Sequence, residues 1–220
     1  RHKAGATRWP KRGVARYTAL TRRMPKVLVL FAHPRLEKSR SNRILLRHLP
    51  RSQDITFRDL YEMYPDFNVD IAAEQSMLVA HDVIVLHHPM YWYSAPPIVK
   101  QWIDLVLAFG WAYGPGGAAL KGKTAFHVIT TGGPEAAYQL DGFHGSTVGE
   151  FLRPLQRTMT LCGMTWLPPF AVHGTHRKTD AELESAGSQY ARLLVGLARG
   201  DLRPESLQSL TLLNDAVPVS

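Results

Sequence analysis

The sequence predicts an α/β fold: a doubly wound, five-stranded parallel sheet, strand order 2-1-3-4-5, with helices on both faces. Two observations carry that expectation. From Met24 onward, short apolar runs of strand length alternate with longer amphipathic stretches, as βαβ units require. The segments after the first, third and fourth runs are polar, aromatic and glycine-rich, which is what the ligand-binding carboxyl edge of such a sheet carries.

The elements follow in order. The first strand is KVLVLFA (Lys26 to Ala32), followed by a polar loop from His33 and a helix near Ser41 to Leu49. DITFRDL (Asp54 to Leu60) is the second strand, and helical spacing fits Val69 to Ala80. DVIVLHH (Asp82 to His88) is the third strand. Pro89 to Pro96 forms a loop, and Pro97 suits the first turn of a helix running to Phe109. Lys123 to Ile129 is the fourth strand, and a helix near Thr147 to Leu161 is expected to kink at Pro154. The fifth strand spans Met164 to Val172. The last helix begins at Thr179 or Asp180, with Glu182 and Glu184 favoured in its first turn. One domain therefore covers residues 24–200. The tail, residues 201–220, has weak periodicity and two prolines and is expected to be loosely ordered.

Charge is unevenly placed. Residues 1–23 hold eight Lys and Arg and no acid, which leaves 18 basic against 18 acidic residues in the rest of the chain. The net charge of +8 thus belongs to a leader, expected to be disordered and read as an extension upstream of Met24, with a transit peptide as the weaker reading. A body without net charge argues against nucleic acid as a partner. No apolar run reaches the length of a membrane span. The lone Cys162, within MTLCGM, reads as a small core residue, and a single cysteine fits a reducing, cytoplasmic compartment.

Parallel strands deliver the loops after strands one, three and four to one edge. The first, HPRLEKSRSNR, places Ser39 and Asn42 where a helix begins, so free amides and the helix dipole favour a phosphate, with His33 as a further donor. Simple N-capping by Ser39 or Ser41 is the plainer reading of those residues taken alone. The second, HHPMYWYSAPP, sets Tyr91, Trp92 and Tyr93 in a row, suited to stacking on a planar ring, although packing on the next helix explains Tyr93 as well. His87 and His88 end the strand without the further ligands a metal needs, so no metal site is expected. The third, TTGGPEAAYQLDGFH, brings Gly132 and Gly133 for close backbone approach, and Tyr138 and His144 for charge stabilisation. Phosphate, stacking and ring-edge contacts together point to redox chemistry on a flavin.

The helix Ile98 to Phe109 is apolar over much of its circumference. Ile98, Trp102, Leu105, Val106 and Phe109 form one stripe, read here as a homodimer contact, with burial inside a crowded monomer as the alternative.

FAHP, the SRSN turn, PMYWYSAPPIVKQWID, GWAYG, TTGG with Tyr138 and His144, and LPPFAVHG resemble the flavodoxin-like NAD(P)H:quinone oxidoreductases from about Pro25 to Gly196. The likeness is nearest to the bacterial ancillary subunits of glutathione-gated potassium efflux systems. It implies a homodimer with the active site at the subunit interface. It implies ping-pong transfer of two electrons, with hydride passing from NAD(P)H through flavin N5 to a quinone. His33, Ser39 and Asn42 would hold the flavin phosphate. Pro89, Met90, Tyr91 and Trp92 would line the ring, and Thr131, Gly132 and Gly133 would meet its pyrimidine edge. Tyr138 and His144 would be the catalytic pair. Chain length favours FMN over FAD. The alternative reading is a regulatory ancillary subunit docked on a membrane potassium–proton antiporter, peripheral at the inner face of the membrane. A flavodoxin-type carrier would leave Tyr138 and His144 without a role. No nucleophile elbow and no dinucleotide glycine fingerprint follow the first strand.

Overall fold

A computed structural model describes residues 23–218. The basic leader lies outside the described residues except for Arg23. The apolar runs become strands β1 (Val27–Phe31), β2 (Ile55–Asp59), β3 (Val83–Pro89) and β4 (Thr124–Thr130). The parallel sheet runs β2-β1-β3-β4-β5, so the expected fold and strand order hold.

The expected fifth strand is two short ones, β5 (Thr165–Trp166) and β6 (Phe170–Val172), both paired to β4. Pro168 and Pro169 between them have no N–H to give the ladder, so pairing lapses and resumes. Register sets up the site. Pro89 lies opposite Thr130, while Phe31, the end of β1, lies opposite His87. β3 and β4 therefore project past β1 and leave a step at the carboxyl edge.

Helix α1 (Arg40–Arg47) and the 20-residue α7 (Asp180–Arg199) pack together over one face. Their apolar sides close on Val27, Val29, Val85, Phe126 and Val128. The other face is covered by α2 (Leu60–Met63), α3 (Ile71–Ala80), α4 (Pro97–Val106), α5 (Val148–Phe151) and α6 (Arg153–Leu161). The expected kink is the break between α5 and α6, with Pro154 in the first turn of α6. α7 starts with a capping box in which Thr179 and Glu182 exchange bonds, as its first-turn acids favour.

Two expectations are corrected. Trp102 and Val106 of α4 are not a surface contact: they are 1% and 0% exposed within the single chain. The reason is polar as well as apolar. The Trp102 indole N–H donates to Glu74 Oε2 at 2.9 Å, and the Tyr64 hydroxyl donates to Glu74 Oε1 at 2.7 Å. Arg58 pairs with the same carboxylate, which is wholly buried. A buried carboxylate needs this set of donors, so Trp102 is held inside. Burial, then Glu74, pushes the Tyr64 phenol up to about 12.

The tail is also not loose. It forms α8 (Pro204–Leu207) and a short 3-10 turn (Leu213–Ala216), and it buries Leu207, Leu213 and Val217 against α7 and β6. The Asn214 side chain accepts from the Ala171 amide at 2.9 Å and donates to the Ala171 carbonyl at 3.0 Å, satisfying the free edge of β6.

Candidate functional site

The step at the carboxyl edge is filled by the three loops, as their strand assignments require. The polar end is built by α1. Ser39 is its N-cap, with Oγ accepting from the Asn42 amide at 3.3 Å and from Asn42 Nδ2 at 3.0 Å. Asn42, 1% exposed, also donates to Thr130 Oγ1 at 3.1 Å, which locks α1 to the end of β4. Its Oδ1 has His87 Nε2 at 3.1 Å, so the His87 N–H donates there. The plain capping role of Ser39 is thus real, and it serves the same end as the ligand reading.

His33 Nδ1 accepts from the Arg35 amide at 3.1 Å, which leaves its Nε2–H as the free donor. Burial holds its pKa below the usual imidazole value, so the ring is neutral. His33, Ser39, Ser41 and Asn42 line a cleft of about 270 Å3 with Pro89, Met90, Tyr91 and Thr131.

That cleft continues into a larger one of about 1010 Å3 through Met90, Tyr91, Gly132 and His176, which line both. The larger part is walled by Gly133, Pro134, Tyr138, Phe143 and His144. Gly132 and Gly133 are needed for closeness. A Cβ on Gly132 would come within 3.0 Å of the His176 ring, and one on Gly133 within 3.2 Å of the Tyr138 ring.

The aromatic loop is strained. Tyr91 and Ser94 exchange backbone hydrogen bonds at 2.9 and 3.0 Å around a two-residue turn. Both turn residues, Trp92 (φ 48°) and Tyr93 (φ 64°), are left-handed, which costs aromatic residues on the order of 1 kcal/mol or more each. The turn sends Trp92 outward, 93% exposed, to the cleft rim, so it does not pack on the floor with Met90.

Tyr138 and His144 do meet: their rings lie 4.5 Å apart and tilted by 38°. They stack without hydrogen-bonding each other; His144 Nδ1 instead lies 3.4 Å from the Tyr93 hydroxyl. Burial raises the Tyr138 phenol pKa, with the Thr131 hydroxyl pulling the other way. The phenol is therefore a proton donor at neutral pH, suited to an acceptor atom in the cleft.

Sequence reading missed four residues here. Thr130 fixes Asn42, His176 forms the waist between the two parts, and Thr175 donates through Oγ1 to the Thr131 carbonyl at 3.0 Å. Arg40 pairs with Asp180 at 3.0 Å and donates to the Thr175 carbonyl at 3.1 Å. It thereby ties the start of α1 to the loop carrying His176. The histidines in VHGTH were visible in the sequence, but only β6 pairing with β4 brings them to this edge.

Behind the site, His88 Nδ1 bonds the Pro89 carbonyl at 3.0 Å, and its Nε2 lies 2.7 Å from His127 Nδ1. Among the described residues, no three His, Cys, Asp or Glu side chains converge as a metal ion would require.

A sheet of this order with a phosphate-suited helix start and an aromatic-walled cleft at its switch point defines a flavodoxin-like protein. Residues 25–194 match the family described as having a flavodoxin-like fold, and the chain belongs to that family. It is 43% identical, over 77% of this chain and 94% of the relative, to the glutathione-regulated potassium-efflux system ancillary protein KefF of Klebsiella pneumoniae (strain 342). A structure described as a thermophilic tryptophan halogenase from S. violaceusniger matches at TM-score 0.73 and 43% identity, covering 76% of this chain and 97% of that one. The general stress protein 14 of Treponema denticola, solved with FMN, matches at TM-score 0.75 and 38% identity, covering 79% and 99%. An NADPH-quinone reductase from P. pentosaceus matches at 0.67 and 32%, covering 76% and 97%. These names differ in activity, so the fold is what they share. No helix among the described residues is long and apolar enough to cross a membrane.

Proposed function

We propose that the protein is an FMN-dependent NAD(P)H:quinone oxidoreductase. The observation that carries this reading is the continuous cleft. Its narrow polar end, at the start of α1, offers hydroxyl, imidazole and amide donors, and its wide end is walled by aromatic rings and glycine backbone. That donor set fits a phosphate joined to a planar heterocycle. Bound there, the flavin would take two electrons from NAD(P)H and pass them to a quinone. Ser39 and His33 would offer donors to the phosphate, and Asn42, whose own amide protons go to Ser39 and Thr130, would hold Ser39 in place for it. Pro89, Met90 and Tyr91 would flank the ring and Thr131, Gly132 and Gly133 its edge, while Trp92 would guard the rim. Tyr138, supported by His144, would donate a hydrogen bond to the ring edge as negative charge develops. The FMN of one relative and the quinone-reductase name of another support the reading.

The same cleft supports a homodimer. Trp92 and Phe143, which line it, are 93% and 90% exposed, an apolar rim that a second copy would cover. A second reading follows from the KefF likeness: an ancillary subunit of a potassium-efflux antiporter, with its redox activity secondary.

The test is a visible spectrum of the purified protein, then anaerobic NADPH, then menadione. Bleaching by NADPH and recovery with the quinone support the enzyme. Bound flavin that NADPH cannot reduce would move the reading to the ancillary subunit, and a protein that cannot be reconstituted with flavin would refute the site.

A further inference from the structure

Tyr138 is backed by a ring that neither the sequence reading nor the flavin site accounts for. His173 follows β6, is 9% exposed, and lies 5.4 Å from the Tyr138 ring at a 35° tilt. His144, Tyr138 and His173 thus form a run of three rings in tilted contact, leading inward from the cleft. The far side of His173 borders a separate cavity of about 560 Å3, shared with Glu135, Arg177 and Lys178.

The hydrogen bonds around His173 meet at the Thr131 hydroxyl. The Thr131 hydroxyl has one proton to give, and the Gly133 carbonyl at 2.8 Å and His173 Nδ1 at 3.0 Å both lie within its reach. When that proton goes to Gly133, the Thr131 oxygen accepts from His173, which puts the His173 proton on Nδ1 and leaves the Nε2 lone pair free; this is the arrangement the proposal takes. The Gly133 carbonyl also accepts from the Gly174 amide at 2.8 Å, and the Thr131 carbonyl accepts from the Thr175 amide at 3.0 Å. The Thr131 and Gly133 carbonyls are thus both tied to the segment that begins at His173, and the glycine edge between them is what a bound ring would meet.

We propose that His173 is a positioning residue, which acts through the Thr131 hydroxyl to fix the Gly132–Gly133 edge and, by stacking, the plane of Tyr138. This rests on the flavin reading for its purpose but not for its geometry. An Nδ1–H donor at this place sets which lone pair of Thr131 is used and hence where the Gly133 carbonyl points. Leucine, apolar and of similar size, would keep the packing against Tyr138 and lose the donor. An asparagine, whose Nδ2 occupies nearly the position of the imidazole Nδ1, would keep the donor and lose part of the stack.

Two measurements test this. In flavin-free protein, nitrogen NMR of labelled histidine should report His173 as the Nδ1–H tautomer, and Thr131→Val should shift it toward Nε2–H. In reconstitution titrations, His173→Leu should weaken FMN binding by about 5- to 10-fold, the usual worth of one hydrogen bond, with His173→Asn within about twofold of the parent. A purely structural role would depress thermal stability in both variants without separating their FMN affinities. An Nε2–H tautomer in the parent overturns the proposal. So does unchanged affinity in His173→Leu, or an Asn variant as weak as the Leu variant. If the parent protein binds no FMN, the flavin reading falls, and the tautomer with its response to Thr131→Val alone decides the role of His173.

Discussion

Three histidines stand wholly buried in the central strands, and acid should unfold the protein through them. His87 donates from Nε2 to Asn42, which leaves Nδ1 without a protein partner. His88 gives its Nδ1–H to the Pro89 carbonyl and accepts from His127 Nδ1–H, which leaves His127 Nε2 alone. Each network is closed only while the rings are neutral. Burial, with the neighbouring His88 and His33 adding to it, pulls His87 down to about 3. Burial pulls His88 down to about 4 against the opposing Pro89 carbonyl, and burial with His88 holds His127 well below the usual value. In the unfolded chain these rings take protons near pH 6.5. Below that pH the unfolded state binds more protons, so stability is full above pH 6.5 and is lost as pH falls towards the folded values. Each ring that stays neutral tilts stability by about 1.4 kcal/mol per pH unit, or about 2 kcal/mol between pH 7.5 and 5. Three rings amount to about 6 kcal/mol, comparable with the whole stability of many domains. The helix-capping carboxylates Glu150 and Glu182 are held low by their own caps and titrate below this window. Urea unfolding followed by tryptophan fluorescence at pH 7.5, 6.5, 5.5 and 5 gives the slope. His88→Leu combined with His127→Leu should remove about 4 kcal/mol of the change over that range, whatever it does to stability at pH 7.5. A stability that changes by less than about 1 kcal/mol over that range, or a slope the double variant leaves intact, would refute the reasoning.

Four further outcomes are expected. Trp102→Phe deprives Glu74 Oε2 of its donor and should cost about 1–3 kcal/mol in urea unfolding, with no change in oligomeric state by light scattering. Asn42→Ala breaks the link between Ser39, Thr130 and His87; FMN affinity in reconstitution should drop about 10-fold or more, and equal affinity would remove the phosphate assignment. Tyr138→Phe with His144→Gln should retain flavin and lose most turnover, on the order of 100-fold if one charge-stabilising donor is lost; unchanged turnover where flavin reduction limits would take both from the mechanism. Phe143→Glu places a charge in the apolar rim and should convert a dimer to monomer in sedimentation; a variant that dimerises as tightly as the parent would rule out that face.

Much of this was legible in the sequence because it is local. The VLVLFA and DVIVLHH runs are strands buried on both faces, and such segments announce themselves by apolar content alone. Thr179 with Glu182 spells a capping box before α7, and Pro154 marks a break whatever surrounds it. The candidate cleft was legible for a related reason: parallel strands deliver successive loops to one edge, so naming the strands gathers His33, Ser39, Met90 and Tyr138 without coordinates. What failed did so where one stretch of sequence fits two environments. Trp102 and Val106 give the same apolar stripe whether a partner or the core covers it, and only Glu74, 28 residues away, settles the matter by taking the indole proton. The apolar residues of the tail follow no clear helix or strand period, yet Asn214 completes the edge of β6 from 43 residues away.

The sequence by itself determined the sheet, its strand order and which loops share an edge, because strand periodicity, proline and glycine act over a few residues and the topology of parallel strands leaves little choice. Only the tertiary structure decided that α4 is an interior helix, that Trp92 is thrown outward by a left-handed turn, and that His87, His88 and His127 are single-tautomer members of buried networks. Those outcomes depend on donors and acceptors far apart in the chain. A buried polar atom finds its partner by three-dimensional proximity, which no local pattern of residues encodes.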